Sequence, residues 1–445
     1  MKEEKKVRSA GEAGWHLSRY NLSAKDSETD NTVIANLFKG TCAAYSPIEI
    51  YLLSVVDQLD EDHPFIERFA RRGLIANYDE REVLEAKYRT EYNKPGDVVW
   101  FTICTTMACN FDCPYCFEER RQGKMSAEVQ DDVVALAGRM LDASFAKELV
   151  VTWYGGEPLL APDVIESLSE RFMELTKERG ASYSANIVTN GYLLTPENVD
   201  MLVRCGVSFA QVTIDGIGAT HDATRRLAGG KGTYERIIEN ISRPGLPITI
   251  QVRVNVHEGN IAQVDELGAA MRKVALESGN KVRFYPKPVL SSEVADDRGQ
   301  QVGILHDMHE LDLSLRDDVP HIRVGEDHGC AALTLWSLLI DERGGLHKCA
   351  GLTAADSRYV YATAHDWDPA KPFGTASNPG VLASYLNCAD PVPDDECREC
   401  VWLPVCGGGC PHYRLQGNRK CLPYRDDPER YVLAQYARVR KRARK

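Results

Sequence analysis

No apolar run in this chain reaches the roughly 18 residues that a membrane-spanning helix needs, which sets aside a helical membrane protein. An excess of positive charge is missing too. The 65 Asp and Glu outnumber the 53 Lys and Arg, and a formal net charge of −12 has the wrong sign for a general nucleic-acid binder. The one basic cluster, Arg438-Val-Arg-Lys-Arg-Ala-Arg-Lys445, reads as a solvated helix end. No apolar core follows the charged start Met1-Lys-Glu-Glu-Lys-Lys, so a secretory signal is not expected. Internal repeats and low-complexity stretches are absent as well. These absences lead to the expectation of a cytoplasmic protein with neither membrane nor nucleic acid among its partners.

Cysteine, by contrast, is plentiful. Fourteen in a reducing compartment point to metal rather than to disulfides. Ten of them fall into two groups. The first is Cys109-Asn-Phe-Asp-Cys113-Pro-Tyr-Cys116, directly after the apolar run Val98-Val-Trp-Phe-Thr-Ile-Cys104, which reads as a strand. Three thiolates at this spacing hold three irons of a 4Fe–4S cube and leave the fourth without a protein ligand. A closed structural site normally supplies four ligands, so three suggest an iron kept open for chemistry; a zinc loop completed by a distant cysteine is the alternative. The second group comprises Cys330, the G-x4-C of Gly344 to Cys349, the run Cys397-x2-Cys400-x5-Cys406-x3-Cys410, and Cys421. Cys42, Cys104, Cys205 and Cys388 read as ordinary thiols.

A length of 445 residues predicts two or three domains. Residues 1–92 read as a small α+β module. Trp15 to Leu22 and Thr32 to Gly40 are strand candidates, and Ser46-Pro47-Ile-Glu49 is a capping box opening a helix. A second helix runs from Pro64 to Arg72 and stops at Gly73. Residues 93–310 alternate strand and helix. Strands are expected at Val98–Cys104, Leu149–Trp153, Tyr183–Val188, Phe209–Ile214, Ile248–Val256 and Val282–Tyr285. Ser126 and Thr195 cap two of the intervening helices. Six strands with helices between them predict an α/β fold, a parallel, partly closed (β/α)6 barrel. Residues 311–445, with the second cysteine group, form the third segment.

Chemistry in such barrels sits at the C-terminal ends of the strands, and the polar signals fall there in order. The cysteine loop follows the first strand and Tyr154-Gly155-Gly156-Glu157-Pro158 the second. Two glycines allow close approach of the backbone to a ligand, and Glu157 either anchors the turn or meets a cation. Thr189-Asn190-Gly191 ends the third strand and Asp215-Gly216 the fourth, with His221, Asp222 and Arg225 beyond; Arg253 and Asn255 end the fifth.

The cysteine loop, with Tyr115 at the aromatic position before its last cysteine, resembles the signature of the radical S-adenosylmethionine (SAM) enzymes, and Gly155 to Pro158 resembles their GGEP motif. The seven cysteines from Cys330 to Cys421 resemble the SPASM domain, a twin auxiliary-cluster module of radical-SAM peptide and protein maturases. The resemblance implies that the Cys109/Cys113/Cys116 cluster chelates SAM through its open iron and cleaves it to a 5′-deoxyadenosyl radical. It implies SAM contacts from Tyr115, Phe117, Gly155, Gly156, Glu157, Pro158, Thr189, Asn190, Asp215, Arg225, Arg253 and Asn255. Arg225 or Arg253 suits the carboxylate, because a guanidinium fork matches it. Two auxiliary 4Fe–4S clusters are implied, one on Cys397, Cys400, Cys406 and Cys421, the other on Cys330, Cys349 and Cys410. Sulfatase maturases complete the latter with a cysteine lying between its first two; none lies between Cys330 and Cys349, so that iron could take an outside thiolate, with Cys388 as the rival ligand.

The first module resembles in shape the winged-helix-type domains that bind leader peptides at a sheet edge; a plain N-terminal cap on the barrel is the alternative. The expected partners are therefore a precursor peptide, leader plus core, and a flavodoxin or ferredoxin as electron donor. The expected activity is a Cys thioether or carbon–carbon cross-link in that peptide. Formylglycine formation of the sulfatase-maturase type is the alternative, but the Asp that those enzymes carry after the G-x4-C cysteine is replaced by Ala350. A non-catalytic metal scaffold would not need the SAM-binding edge. No general base stands out in the sequence.

Overall fold

The structure is a computed structural model, and it describes residues 14–91, 95–257, 259–288, 330–350, 357–419 and 421–443. Two compact units result. Among the described residues, one unit holds 14–91 together with 390–443, and the other holds 95–288 together with 330–389. The third segment, expected as one domain over 311–445, is thus divided between the units at Ala389 and Asp390.

In the first unit, strands β2 (Asn21–Lys25), β3 (Thr32–Asn36) and β4 (Thr41–Tyr45) form an antiparallel meander, while β1 (His16–Leu17) pairs with β5 (Ile75–Ala76). Alternation along β3 sends Val33 and Ala35 to one face and Ile34 to the other. The Ile34 face packs on Leu53 of α1 (Pro47–Ser54) and on Ile66 and Phe69 of α2 (Pro64–Arg72). The opposite face packs on Leu84 and Tyr88 of α3 (Glu80–Glu91), on Trp402 and Leu403, and on Val432 of the last helix, Pro428–Ala443. The capping box is present: Ser46 Oγ accepts from Glu49 N, and Glu49 Oε2 accepts from Ser46 N at 2.8 Å. Gly73 ends α2 at φ 75°.

Two strand expectations need correction. Trp15 to Leu22 is not one strand. Glu80, 3% exposed, accepts from Ser18 Oγ (2.8 Å) and Arg19 N (3.0 Å) and holds a turn between β1 and β2. The strand from Thr32 ends at Asn36, whose buried Nδ2 donates to Ser18 Oγ and to Gly73 O, and the chain turns there into β4. β4 itself, Thr-Cys-Ala-Ala-Tyr, is too weakly patterned to stand out in sequence, as is the largely charged α3.

The second unit is built on β6 (Val98–Thr106), β7 (Glu148–Gly155), β8 (Ser182–Thr189), β9 (Val207–Thr213), β10 (Thr249–Val256) and β11 (Val282–Pro288). All adjacent pairs are parallel, and the spatial order follows the chain. These are the six expected strands. The buried residues of one sheet face, such as Ile103, Trp153, Ile187, Val212 and Val252, belong to one apolar core with the covering helices. Ser126 and Thr195 cap their helices by accepting from Val129 N and Asn198 N. The sheet then continues where the sequence predicted no strand. β12 (Ser337–Ile340) adds parallel to β6, and β13 (Gly345–His347) and β14 (Ala362–Thr363) follow antiparallel, giving nine strands in one sheet among the described residues. The described helices include none long and apolar enough to cross a membrane.

Candidate functional site

The C-terminal ends of β6 to β10 carry the cysteine loop and the polar residues that the sequence singled out. The loop is pinned by its backbone. Asp112 N donates to Arg226 O and Ala228 N to Asn110 O, both at 2.9 Å, and Phe111 bridges to Leu227. Phe111 N also points at Cys109 Sγ, 3.4 Å away. Cys109 and Cys113 are half-buried and Cys116 is exposed. Burial pushes the Cys109 thiol up to about 11, and that of Cys113 up as well. These thiols therefore favour the protonated form until a cation offsets the lost hydration.

The two glycines after β7 serve the loop itself. A Cβ on Gly155, at φ +123°, would lie 2.1 Å from Thr106 O, and one on Gly156 would lie 2.4 Å from Ala108 O. Gly156 N donates to Thr106 O (3.0 Å) and Glu157 N to Ala108 O (2.9 Å). Only glycine lets the end of β7 run this close to the base of the cysteine loop.

Of the two roles open to Glu157, anchoring is the one seen. Its side chain is fully buried; Oε1 accepts from Leu159 N (3.0 Å) and Thr189 Oγ1 (2.8 Å), and Oε2 from Asn190 N (2.8 Å). Burial raises its pKa, and the three hydrogen bonds work against that rise. Pro158 beside it is buried, and Asn190 Nδ2 reaches Asn110 Oδ1 at 2.7 Å. Glu157, Thr189 and Asn190 thereby tie the β7 and β8 ends to the cysteine loop.

The second cluster is centred on Asp215, which is fully buried. Its Oδ1 accepts from Asn255 N at 2.8 Å, and its Oδ2 accepts from the Tyr115 hydroxyl. Arg225 donates from Nη1 to the same hydroxyl at 2.7 Å and lies over the Phe111 ring, 5.7 Å from its centroid. Arg225 is 8% exposed, yet its buried Nε meets no hydrogen-bond partner. Arg253 Nε donates to Asn255 Oδ1 at 3.0 Å. Phe117 is exposed at the loop's end. Tyr115, Asp215, Arg225, Arg253 and Asn255 are thus joined in one polar network beside the third cysteine.

Sequence reasoning gives no role to two supports of this network. His221 is fully buried; its Nδ1 accepts from Asp215 N at 3.2 Å, and its Nε2 is 3.1 Å from Thr233 Oγ1. Burial first, and Arg225 second, depress its pKa to about 3, so it is neutral here. Asn260 Nδ2 donates to Asp215 O (2.7 Å) and Asn255 O (2.9 Å). Neither sits in a recognisable spacing. A fully buried polar residue with its bonds satisfied carries no periodic signal.

The second cysteine group is distributed over both units. Cys330 and Cys349 belong to the unit of the parallel sheet, as does Cys388 on the helix Pro379–Ala389, whereas Cys397, Cys400, Cys406, Cys410 and Cys421 belong to the other. Within that other unit Cys397, Cys400, Cys406 and Cys421 line a single cavity, together with Trp402, Leu403 and Leu422. Arg419 and Arg425 line it too, with Glu396, and Arg414 reaches one of its sulfurs. Arg425 donates to Cys421 Sγ at 3.3 Å, Arg414 to Cys397 Sγ at 3.7 Å, and Arg419 is paired with Asp394 and Glu396. Among the described residues no three His, Cys, Asp or Glu side chains are gathered around the position of one metal ion.

The geometry meets the comparisons with known proteins at the cysteine loop. Residues 103–250 match the model of the Radical SAM superfamily. The chain is 27% identical over 172 residues to the PqqA peptide cyclase of Gluconobacter oxydans, covering 38% of this chain and 44% of that one. It is 32% identical over 180 residues to the AdoMet-dependent heme synthase of Methanosarcina barkeri, covering 39% and 46%. The chain thus spans less than half the length of these curated relatives. The solved structure of native anSMEcpe with bound AdoMet superposes at a TM-score of 0.54 with 17% identity, over 76% of this chain and 97% of that one. Native anSMEcpe with AdoMet and the Cp18Cys peptide gives 0.53 with 16% identity, over 76% and 96%. At such identities the likeness concerns the fold.

Proposed function

We propose that this chain, which carries a radical SAM domain over residues 103–250, modifies a ribosomally made peptide, installing a Cys thioether or a carbon–carbon cross-link. The observation that carries the reading beyond the shared domain is the cavity lined by Cys397, Cys400, Cys406 and Cys421. Those are the four cysteines that the SPASM pattern assigns to one auxiliary 4Fe–4S cluster. Cys109, Cys113 and Cys116 would hold the SAM-binding cluster, and Cys330, Cys349 and Cys410 the third. When bound, cluster and SAM supply a 5′-deoxyadenosyl radical that abstracts hydrogen from the substrate.

The chain's own residues fit SAM in stated ways. Arg225 brings a buried guanidinium with an unpartnered Nε, suited to the methionyl carboxylate. Gly155 and Gly156 bring backbone against the loop, and Glu157 holds that turn rather than the ligand. Asp215, Asn255 and Arg253 offer hydrogen-bonding groups next to Tyr115. Thr189, Asn190, Pro158 and Phe117 complete the rim.

A peptide is favoured as substrate by the first module as well. The β2-β3-β4 meander has two edges, β2 and β4, that pair with no further strand among the described residues, and an extended leader adds to such an edge through its backbone. By its name PqqA peptide cyclase acts on a peptide, whereas the other relative makes heme, so similarity to these relatives alone does not select the substrate. Formylglycine formation is disfavoured, since Ala350 stands after Cys349.

The test is co-expression with a short Cys-containing reading frame from beside the gene, followed by mass spectrometry of the peptide. Loss of two hydrogens from the peptide, dependent on Cys109, is the expected result. SAM cleavage with an unmodified peptide, or a Cys converted to formylglycine, would overturn the assignment.

A further inference from the structure

The cavity of Cys397, Cys400, Cys406 and Cys421 has an electrostatic feature that the cluster pattern does not require. Two guanidinium groups touch its sulfurs, at Cys421 and at Cys397. They are held differently. Arg425 is exposed at its rim. Arg414 is nearly buried, its side chain 10% exposed; Nη2 donates to Asp390 O at 3.2 Å and Nη1 to Gly408 O at 3.4 Å, with Asp394 Oδ2 at 3.9 Å. The turn that it crosses leaves room for it. Gly408 has φ +80°, and a Cβ there would lie 2.6 Å from Arg414 Nη1 and 2.5 Å from Pro391 Cβ. Within Cys406-Gly-Gly-Gly-Cys410, this glycine admits the guanidinium. Arg419, the third arginine, has its charge engaged by Asp394 and Glu396.

A cluster on four thiolates is anionic, and taking up one electron adds one more negative charge. A fixed positive charge nearby, and N–H···S hydrogen bonds to the ligand sulfurs, stabilise the reduced state more than the oxidised one. The guanidinium stays charged throughout, since it does not titrate in proteins. Arg414 supplies both effects at Cys397, and Arg425 supplies them at Cys421. Asp394 offsets part of the Arg414 charge, but at 3.9 Å it is farther away than the sulfur at 3.7 Å.

We propose that Arg414 and Arg425 set the reduction potential of the cluster at Cys397, Cys400, Cys406 and Cys421, raising it so that a low-potential donor protein of the flavodoxin or ferredoxin class can reduce it. The inference rests on the proposed presence of a 4Fe–4S cluster at these cysteines.

The experiment is an EPR-monitored redox titration of the full chain, reconstituted with iron and sulfide. Replacing Cys109, Cys113 and Cys116 by Ala removes the SAM-binding cluster and leaves two auxiliary midpoints. R414M with R425Q should lower the reduced-to-oxidised ratio of one auxiliary cluster about tenfold at a fixed potential, a shift of about 59 mV for one electron, and leave the other unmoved. R414K, which keeps the charge, should retain most of the parent value. If R414M sheds iron, the exposed R425Q alone decides, with a smaller shift of the same sign. Unchanged midpoints in R425Q and in every iron-retaining variant of Arg414 would overturn the proposal. If C397A and C421A together remove no signal from the parent, the cluster assignment fails instead, a separate and recognisable outcome.

Discussion

Arg225 donates from Nη1 to the hydroxyl oxygen of Tyr115 at 2.7 Å, and that hydroxyl in turn donates to the buried carboxylate of Asp215. The aromatic residue of the cysteine loop is thereby wired to the ends of β9 and β10, because Asp215 also accepts from Asn255 N. A phenol placed between a cation and an anion orders both.

This wiring predicts separable losses. Y115F removes the donor to Asp215 Oδ2 and leaves a fully buried carboxylate oxygen short of a partner, costing about 1–3 kcal/mol of stability. R225A keeps that donor but takes away the cation proposed for the SAM carboxylate. Charge-assisted bonds of about 1.5–3 kcal/mol correspond to roughly ten- to hundredfold weaker SAM binding. Equilibrium dialysis with SAM and thermal melting of the iron-loaded protein should place the larger binding loss in R225A.

Gly156→Ala should act on the cysteine loop from a distance in sequence. Its Cβ would meet backbone oxygens of Ala108 and Met107 at 2.4 and 2.6 Å, atoms that have no freedom to swing away. The loop has to shift, and with it Cys109. The expected outcome is a protein that folds and keeps its C-terminal clusters but loses about four of its roughly twelve irons and all SAM cleavage. Iron analysis beside that of the Cys109/Cys113/Cys116 triple Ala variant checks it, and full iron content would refute the packing argument.

His221 makes a pH prediction whose sign follows from burial. Its folded pKa is depressed to about 3, against about 6.5 in an unfolded chain. Between those values the unfolded chain binds a proton that the folded chain does not, so stability is lost as pH falls from about 6.5 toward 3. At about 1.4 kcal/mol per unit, the loss reaches several kcal/mol. H221Q preserves an acceptor for Asp215 N without a titrating ring. Urea midpoints measured from pH 7 to pH 4 should fall less steeply in H221Q than in the parent. Parallel slopes would show that His221 is not the titrating group.

Much of this site is legible in sequence because it lies where regular elements end. The strand run from Val98, the glycines after β7 and the Asn190, Asp215 and Asn255 positions mark strand termini, and periodicity together with turn chemistry finds those. What joins them is not legible. The role of Glu157 depends on the depth to which the β7 end descends, and His221 and Asn260 are recognisable only once Asp215 is known to be buried. β12 escapes for a different reason. Its four residues, Ser-Leu-Leu-Ile, are short and buried on both faces, and nothing local distinguishes such a strand from a buried coil. The joining of residues 14–91 with 390–443 in one unit is a long-range event that no local pattern encodes.

That joining alters what a truncation can test. In sequence, residues 1–92 read as a small module distinct from the C-terminal segment. Instead, Tyr20, Leu84 and Tyr88 share one apolar cluster with Trp402, Leu403 and Tyr431, and Tyr88 OH donates to Leu403 O at 3.3 Å. Arg19 and Arg81 both reach Glu399, between Cys397 and Cys400, at 2.9 and 2.7 Å. Trp402 and Leu403 line the four-cysteine cavity, so the deletion exposes the back of that cavity to water. At roughly 1.5–3 kcal/mol for each large apolar side chain uncovered, the wall of the cavity is not expected to hold. The truncated chain should lose about four irons and the EPR signal of that cluster, whatever the first module does for a peptide. Leader binding is better probed in the full chain, where amide exchange across Thr41–Tyr45 or Asn21–Lys25 should slow when a leader peptide pairs with that edge. Exchange unchanged at both edges, with the peptide bound, would rule out strand addition.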